Sequence, residues 1–470
     1  AVPRRHQQRA GLPLAAGDHA RTLAYCDGRP VTAGTFLAQV RAVARLLPDT
    51  PHAVNLCLDR YRYLVAFCAV ALRGQATLMP SSRTPAAVDL VRAQYPDSYC
   101  IGDEDEAGWG ASVSPWMALP SPLPVLDGPE PRIAADSVVA VGFTSGSTGA
   151  PSPHPKTWGG LFRCTLQNMA ALSGLWPPGG QAHVVATVPP QHMFGMEMSV
   201  LLPLLGGTSV HAGRPFFPAD IAGALEELPG NRLLVTTPVH LRALVESGAA
   251  LPPLSAIITA TAPLAHGLAA AAEQRFNAPV REFFGSTETC IIASRRTAIE
   301  QAWTPFPGVR LQPRPDGTLV QAPQLAAPVA LADLIESDAA GHDCPHGQTQ
   351  GKERMAQGNR CALPGQVRHI EVKHEVQPLG ELPRHLLAIP GVEDGVVLQL
   401  DEADALGVSR IAAVAVAPDL DEGRILDALR RAVDPVFLPR RLRLVPALPR
   451  NETGKLPRAA LLQLLAGAGR

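Results

Sequence analysis

The chain has no excess of charge. Its 470 residues include 41 lysines and arginines against 42 aspartates and glutamates, a formal net charge of −1. That balance offers no electrostatic pull towards nucleic acid or an anionic membrane, so neither is expected as a partner. Long apolar runs are missing as well. The stretch 63–72 falls far short of the ~20 residues a membrane-spanning helix needs. The opening segment, AVPRRHQQRAGLPLAAGDHA, has basic side chains but no continuous apolar core of the kind found in secretory signals. Nor is there a Cys-x-x-Cys pair. Cys26, Cys57, Cys68, Cys100, Cys164, Cys290, Cys344 and Cys361 are scattered, and some, such as Cys68 in YLVAFCAVAL, sit inside apolar runs as small hydrophobes. Unpaired thiols point to a reducing compartment, so a cytoplasmic protein without membrane insertion is expected.

What is present is a globular composition, 46% hydrophobic and 18% charged, on a chain long enough for two or three domains. TAGTFLAQVRAVARLL has the apolar spacing of an amphipathic helix, and HAVNLCL, AHVVATVP, NRLLVTTP and LSAIITAT read as short buried strands. Strands alternating with helices predict an α/β domain with largely parallel sheets flanked by helices, over residues 1–335. Residues 336–368 are polar, rich in Gly and Gln, and read as a linker. Beyond it, residues 369–470 alternate strand and helix patterns again and predict a small α+β domain. His342, Cys344 and His346 in the linker are too tightly spaced for a zinc site, and a solvated loop is the better reading.

The most informative segment is FTSGSTGAPSPHPK, Phe143 to Lys156. The β-branched run SVVAVGF before it predicts a strand that delivers a loop. In that loop Thr144, Ser145, Ser147 and Thr148 alternate with Gly146 and Gly149, and Lys156 follows. Glycines allow close backbone approach to a polyanion, while hydroxyls and N–H groups can bond phosphate oxygens. The Walker pattern, Gly-x-x-x-x-Gly-Lys-Ser/Thr, is absent, which disfavours a P-loop phosphotransferase.

The string instead resembles the phosphate loop of the adenylate-forming superfamily of acyl-CoA synthetases, aryl-acid ligases and adenylation domains. It differs in the extra residues Ser152 to Pro155 before the lysine. That longer form is similar to bacterial ligases of aryl-polyene and xanthomonadin-type pathways. Four further segments match in order: PPQHMFG (189–195), TATAPL (259–264), FFGSTE (283–288) and LPRNETGKLPR (448–458).

The resemblance implies a large amino-terminal domain, a mobile carboxy-terminal domain, and activation of a carboxylic acid by ATP. It implies that Lys455 bridges carboxylate and α-phosphate oxygens during adenylation and that Thr287 bonds the α-phosphate. Glu288 would hold Mg²⁺, with Thr148 as a further oxygen donor. Phe284, Gly285, Ser286, Ala262 and Pro263 would border the adenine, Asp333 the ribose, and His192 with Phe194 the acyl pocket. The acceptor would be CoA or the phosphopantetheine thiol of an acyl carrier protein. The acid is expected to be hydroxybenzoate-like, with fatty acids as the alternative.

The hinge departs from the family pattern. Gln366 stands where arginine is usual, and Lys373 has no glycine after it before Gly380. A catalytically silent nucleotide-binding homologue therefore remains the competing reading.

Overall fold

A computed structural model describes residues 11–103, 113–144, 151–314, 317–331, 334–337, 370–373, 382–403, 409–433, 438–449 and 458–466. Two sheets organise the large domain. The first has six strands in the order Ser152–Thr157, Val138–Thr144, Ala76–Met79, His52–Asn55, Ser98–Gly102 and Trp116–Ala118. The second has nine, with Cys290–Arg295, Val280–Ser286, Leu254–Thr259, Arg232–Thr236, His183–Ala186, Ser209–His211 and Thr22–Cys26 adjacent in that order. The interiors of both sheets are parallel, as the alternating pattern predicts. Ser152–Thr157 pairs antiparallel with Val138–Thr144, Cys290–Arg295 with Val280–Ser286, and Arg29–Thr32 with Thr22–Cys26, so the sheets are mixed. The reason is connection length: Arg29–Thr32 and Cys290–Arg295 follow their neighbours after only a few residues. A parallel crossover needs a dozen or more.

The helix Arg60–Leu72 begins at Asp59, whose side chain accepts from the Arg62 amide, and is buried on nearly every face. A helix apolar all round belongs inside the protein, and its residues share one core with strands of both sheets. The helices Pro85–Gln94 and Pro238–Glu246 start in the same economical way, with threonine at the cap and proline in the first turn.

Towards the carboxy terminus, Asp394–Ala403, Ser409–Val416 and Arg441–Leu444 form a three-stranded sheet. The helix Glu422–Ala432 buries Ile425 and Leu429, one turn apart, against Ala413 and Ala415. This is the small α+β unit the sequence predicts. Leu334–Ser337 pairs antiparallel with Ile370–Lys373, so the two flanks of the polar segment meet. His342, Cys344, His346, Gln366 and Gly380 lie outside the described residues. No described helix is long and apolar enough to cross a membrane.

Burial also gives the fold an acid-sensitive element. His183 opens its strand with Nδ1 2.7 Å from Ser209 Oγ, and burial, aided by the Arg232 charge, pushes its pKa down to about 4. The unfolded chain takes up a proton near the ordinary histidine value of about 6.5, which the folded chain refuses until about 4. Stability contributed by neutral His183 is thus complete above pH ~6.5 and lost as pH falls towards about 4. Thermal unfolding across that window should show a steeper acid loss in the wild type than in His183→Gln. Parallel curves would contradict it.

Candidate active site

The strand Val138–Thr144 turns back through Ser152–Thr157 in antiparallel register, with Ser152 opposite Thr144 and His154 opposite Gly142. The residues that read as an insertion are therefore a strand. Its Pro153 and Pro155 are tolerated because it lies at the sheet edge. Side chains two apart share a face, so His154 and Lys156 project together.

What they meet is the segment after Val280–Ser286. Lys156 Nζ, buried, donates to the Glu288 carbonyl at 2.7 Å. His154 Nε2 lies 2.8 Å from Thr144 Oγ1 and 3.7 Å from Glu288 Oε1. Burial chiefly holds the His154 pKa below its ordinary value; Glu288 opposes that shift and Lys156 adds to it. The hairpin thus joins the two sheets at Thr287–Glu288. Contact is close enough that a Cβ on Gly142 would fall 2.6 Å from Thr287 Cγ2. Any side chain there would force Thr287 to shift.

The turn carrying Thr287 and Glu288 is tightly built. Ser286 Oγ and Thr289 Oγ1 are 3.1 Å apart, and the Thr289 hydroxyl donates to the Cys290 carbonyl at 2.8 Å. Cys290 adopts φ 62°, a left-handed conformation costly for a residue with a Cβ. A Cβ on Gly285 would come within 2.4 Å of the Cys290 oxygen, so this close approach requires glycine. Behind the turn stands a buried carboxylate. Glu197 accepts from the Ile291 amide at 3.0 Å, Asn168 Nδ2 at 3.1 Å and the Cys164 thiol at 2.9 Å. Gln324 Nε2 adds a bond to the Thr289 carbonyl at 3.1 Å. Burial raises the Glu197 carboxyl, and these donors oppose that rise. The Cys164 thiol is held well above its usual range, first by a hydrogen bond with Cys290 and then by burial, so it stays protonated as a donor.

Phe284 is buried against Trp303, ring centroids 5.5 Å apart. Ala262 and Pro263 lie in the turn after Leu254–Thr259. There Thr261 has φ 79° and the Leu264 amide is held by Glu282 Oε1 at 2.9 Å. His192 caps the short helix Met193–Met196, and Phe194 is buried behind it. Met196 and Met198 are wholly buried core. The structure therefore brings Thr144, Lys156, Thr287 and Glu288 together at one junction. Ser145, Gly146, Ser147, Thr148, Gly149, Asp333 and Lys455 lie outside the described residues. His154, Glu197, Glu282 and Gln324 escaped the reading of the sequence. His154 alone left a signal, its two-residue spacing from Lys156.

Fold and junction together define an α/β enzyme core with hydroxyl, cationic and carboxylate groups gathered where parallel strands end, the place such sheets bind ligands. Residues 76–352 match the AMP-binding enzyme family, and the chain belongs to it. The class expected from the motifs, an AMP-forming acid–thiol ligase, goes with that membership. Among its relatives is a 4-coumarate–CoA ligase from Rhodobacter capsulatus, 32% identical over 331 residues, covering 68% of this chain and 75% of that one. An o-succinylbenzoate CoA synthetase from Bacillus subtilis shares the fold with a TM-score of 0.72 at 16% identity, over 94% of this chain and 95% of that one. So does an amide bond synthetase from Marinactinospora thermotolerans, with a TM-score of 0.70 at 17% identity, over 96% of this chain and 97% of that one.

Proposed function

We propose that the protein activates an aryl carboxylic acid with ATP and transfers the acyl group to a phosphopantetheine thiol. The observation that carries this reading is the junction of Lys156, His154 and Thr144 with Thr287–Glu288, where Thr144 immediately precedes in sequence the hydroxyl- and glycine-rich segment 145–150. In the first step a carboxylate oxygen attacks the α-phosphorus and pyrophosphate leaves with its bonding electrons. In the second, the thiol sulfur attacks the acyl carbon, AMP leaves, and the thiol proton is released. Both steps concentrate negative charge, so fixed donors held in place before reaction are the main catalytic device.

Lys156 and Glu288 hold each other through a backbone carbonyl, which fixes the lysine and leaves the carboxylate side chain for other partners. Glu288 is part-exposed, and among the described residues its carboxylate has an imidazole, that of His154, at 3.7 Å, so this hard oxygen donor fits Mg²⁺. The ion would screen phosphate charge; Thr148 is a further candidate ligand. Lys455 is proposed to span the acid and the α-phosphate, and Asp333 to bind the ribose. His192 and Phe194 would border the acid.

An aryl acid is favoured by the relative that ligates 4-coumarate. The longer segment before Lys156 is what resembles the aryl-polyene-type ligases, and an acyl carrier protein is proposed as acceptor, with the reaction in the cytoplasm. CoA is the other candidate acceptor. Incubation with ATP, Mg²⁺, hydroxybenzoates or 4-coumarate, and either CoA or holo-carrier protein tests this by mass spectrometry. The expected products are the thioester and AMP. ADP in place of AMP would reject the reading.

A further inference from the structure

Two cysteines meet a carboxylate inside the large domain. Cys164 and Asn168 stand one turn apart on the helix Trp158–Ala171 and so face the same way. Glu197 opens a π-helical turn, Glu197–Leu201, a widening that recurs at functional sites. Cys290 opens the strand Cys290–Arg295 in its left-handed conformation. The two sulfurs and a Glu197 carboxylate oxygen lie within 4.8 Å of one another, and none of the three residues is more than 2% exposed. Helix, wide turn and strand thus deliver three side chains able to ligate a metal to one sealed point.

Acceptors outnumber donors around that point. Asn168 and Gln324 reach it through their amide nitrogens, Asn168 Nδ2 to Glu197 at 3.1 Å and Gln324 Nε2 to the Thr289 carbonyl at 3.1 Å. Their oxygens, Asn168 Oδ1 and Gln324 Oε1, are buried without a hydrogen-bond partner. Buried polar atoms are nearly always satisfied, so such orphans mark a place for an ion or a water. A half-turn of the Asn168 amide puts Oδ1 where Nδ2 lies, 3.1 Å from the carboxylate. Two oxygens that close repel unless a cation sits between them.

We propose that Cys164, Cys290 and Glu197 form a buried site for a thiophilic divalent cation such as Zn²⁺, with Asn168 Oδ1 as the fourth ligand. Thiolate and carboxylate oxygen are zinc ligands, and four protein ligands make a closed, structural site rather than a catalytic one. On binding, the two thiols release their protons to solvent. The ion with two thiolates and one carboxylate carries one excess negative charge, and Lys156 stands near enough for its charge to act on Glu197. The Ile291 amide stays on the carboxylate as a supporting donor. The ion braces the turn that carries Thr287 and Glu288, and it is separate from the Mg²⁺ proposed at Glu288.

Metal titration of the full chain decides, because it needs no substrate and does not depend on the ligase reading. Protein with Cys344→Ser and Cys361→Ser, which remove the cysteines of the polar linker, would be stripped with a chelator under reducing agent. It would then be titrated with Zn²⁺ against a chromophoric chelator, and with Cd²⁺ by thiolate charge-transfer absorption. One bound equivalent is expected. Affinity should fall about a hundredfold or more on adding Cys164→Ser, Cys290→Ser or Glu197→Gln, and about tenfold on adding Asn168→Leu. Where a ligand variant fails to fold, X-ray absorption of the zinc-loaded parent answers instead, with two sulfurs at about 2.3 Å and lighter atoms completing the shell. No retained equivalent of zinc, affinities within about twofold of the parent in the cysteine variants, or a zinc shell without two sulfurs would overturn the site.

Discussion

Glu197→Ala should lower ATP–pyrophosphate exchange about a hundredfold and destabilise the chain by about 3 kcal/mol. The carboxylate touches none of the proposed reacting groups. It gathers the Ile291 amide, the Asn168 amide and the Cys164 thiol behind the turn that carries Thr287 and Glu288. Removing it strands donors that have no water to turn to, each at a cost of about 1–3 kcal/mol. The site then suffers because Cys290, at φ 62°, is held in a conformation that the surrounding bonds impose. Once Ile291 is released, the turn can relax and shift Glu288 away from Lys156. Glu197→Gln keeps the shape but must aim an N–H group at one of the existing donors, so an intermediate loss is expected. Chemical denaturation and exchange kinetics check the two effects separately. Wild-type exchange in a destabilised Glu197→Ala protein would show that the carboxylate serves packing alone.

Lys455→Ala should abolish exchange, a loss of about a hundredfold to a thousandfold or more. Two anions must meet, and charge then accumulates on the α-phosphate oxygens; an ammonium placed between them, the role proposed for Lys455, would offset both. The second step begins from a mixed anhydride that needs no such bridge. Supplied acyl-adenylate should therefore still be consumed by thiol in the presence of Lys455→Ala protein. Loss of both steps together would point to a folding defect, and retention of exchange would remove Lys455 from the chemistry.

Much of this was legible in the sequence because strands buried on both faces announce themselves as short apolar runs. The strands Val138–Thr144, His183–Ala186, Arg232–Thr236 and Leu254–Thr259 all fall where those runs predict. The candidate junction was signalled where chemistry demands rare combinations, as in FFGSTE, whose Glu288 lies against Lys156 and His154. The strand Ser152–Thr157 was hidden by two prolines, residues that only an edge position can accommodate. Glu197 was hidden by its neighbours: in MFGMEMSVLL it looks like one polar interruption of a core segment. Its meaning comes from Ile291 and Cys164, far away in sequence and adjacent only after folding. The antiparallel pairs in both sheets follow from connection lengths rather than from side-chain pattern.

The most direct test of the central claim is ATP–pyrophosphate exchange scanned over benzoate, hydroxybenzoates, cinnamates and fatty acids of several lengths. The account predicts exchange that depends on the acid, is strongest with an aryl acid and requires Mg²⁺. No exchange with any acid, from protein that still binds ATP, would contradict it and leave a nucleotide-binding homologue without ligase activity.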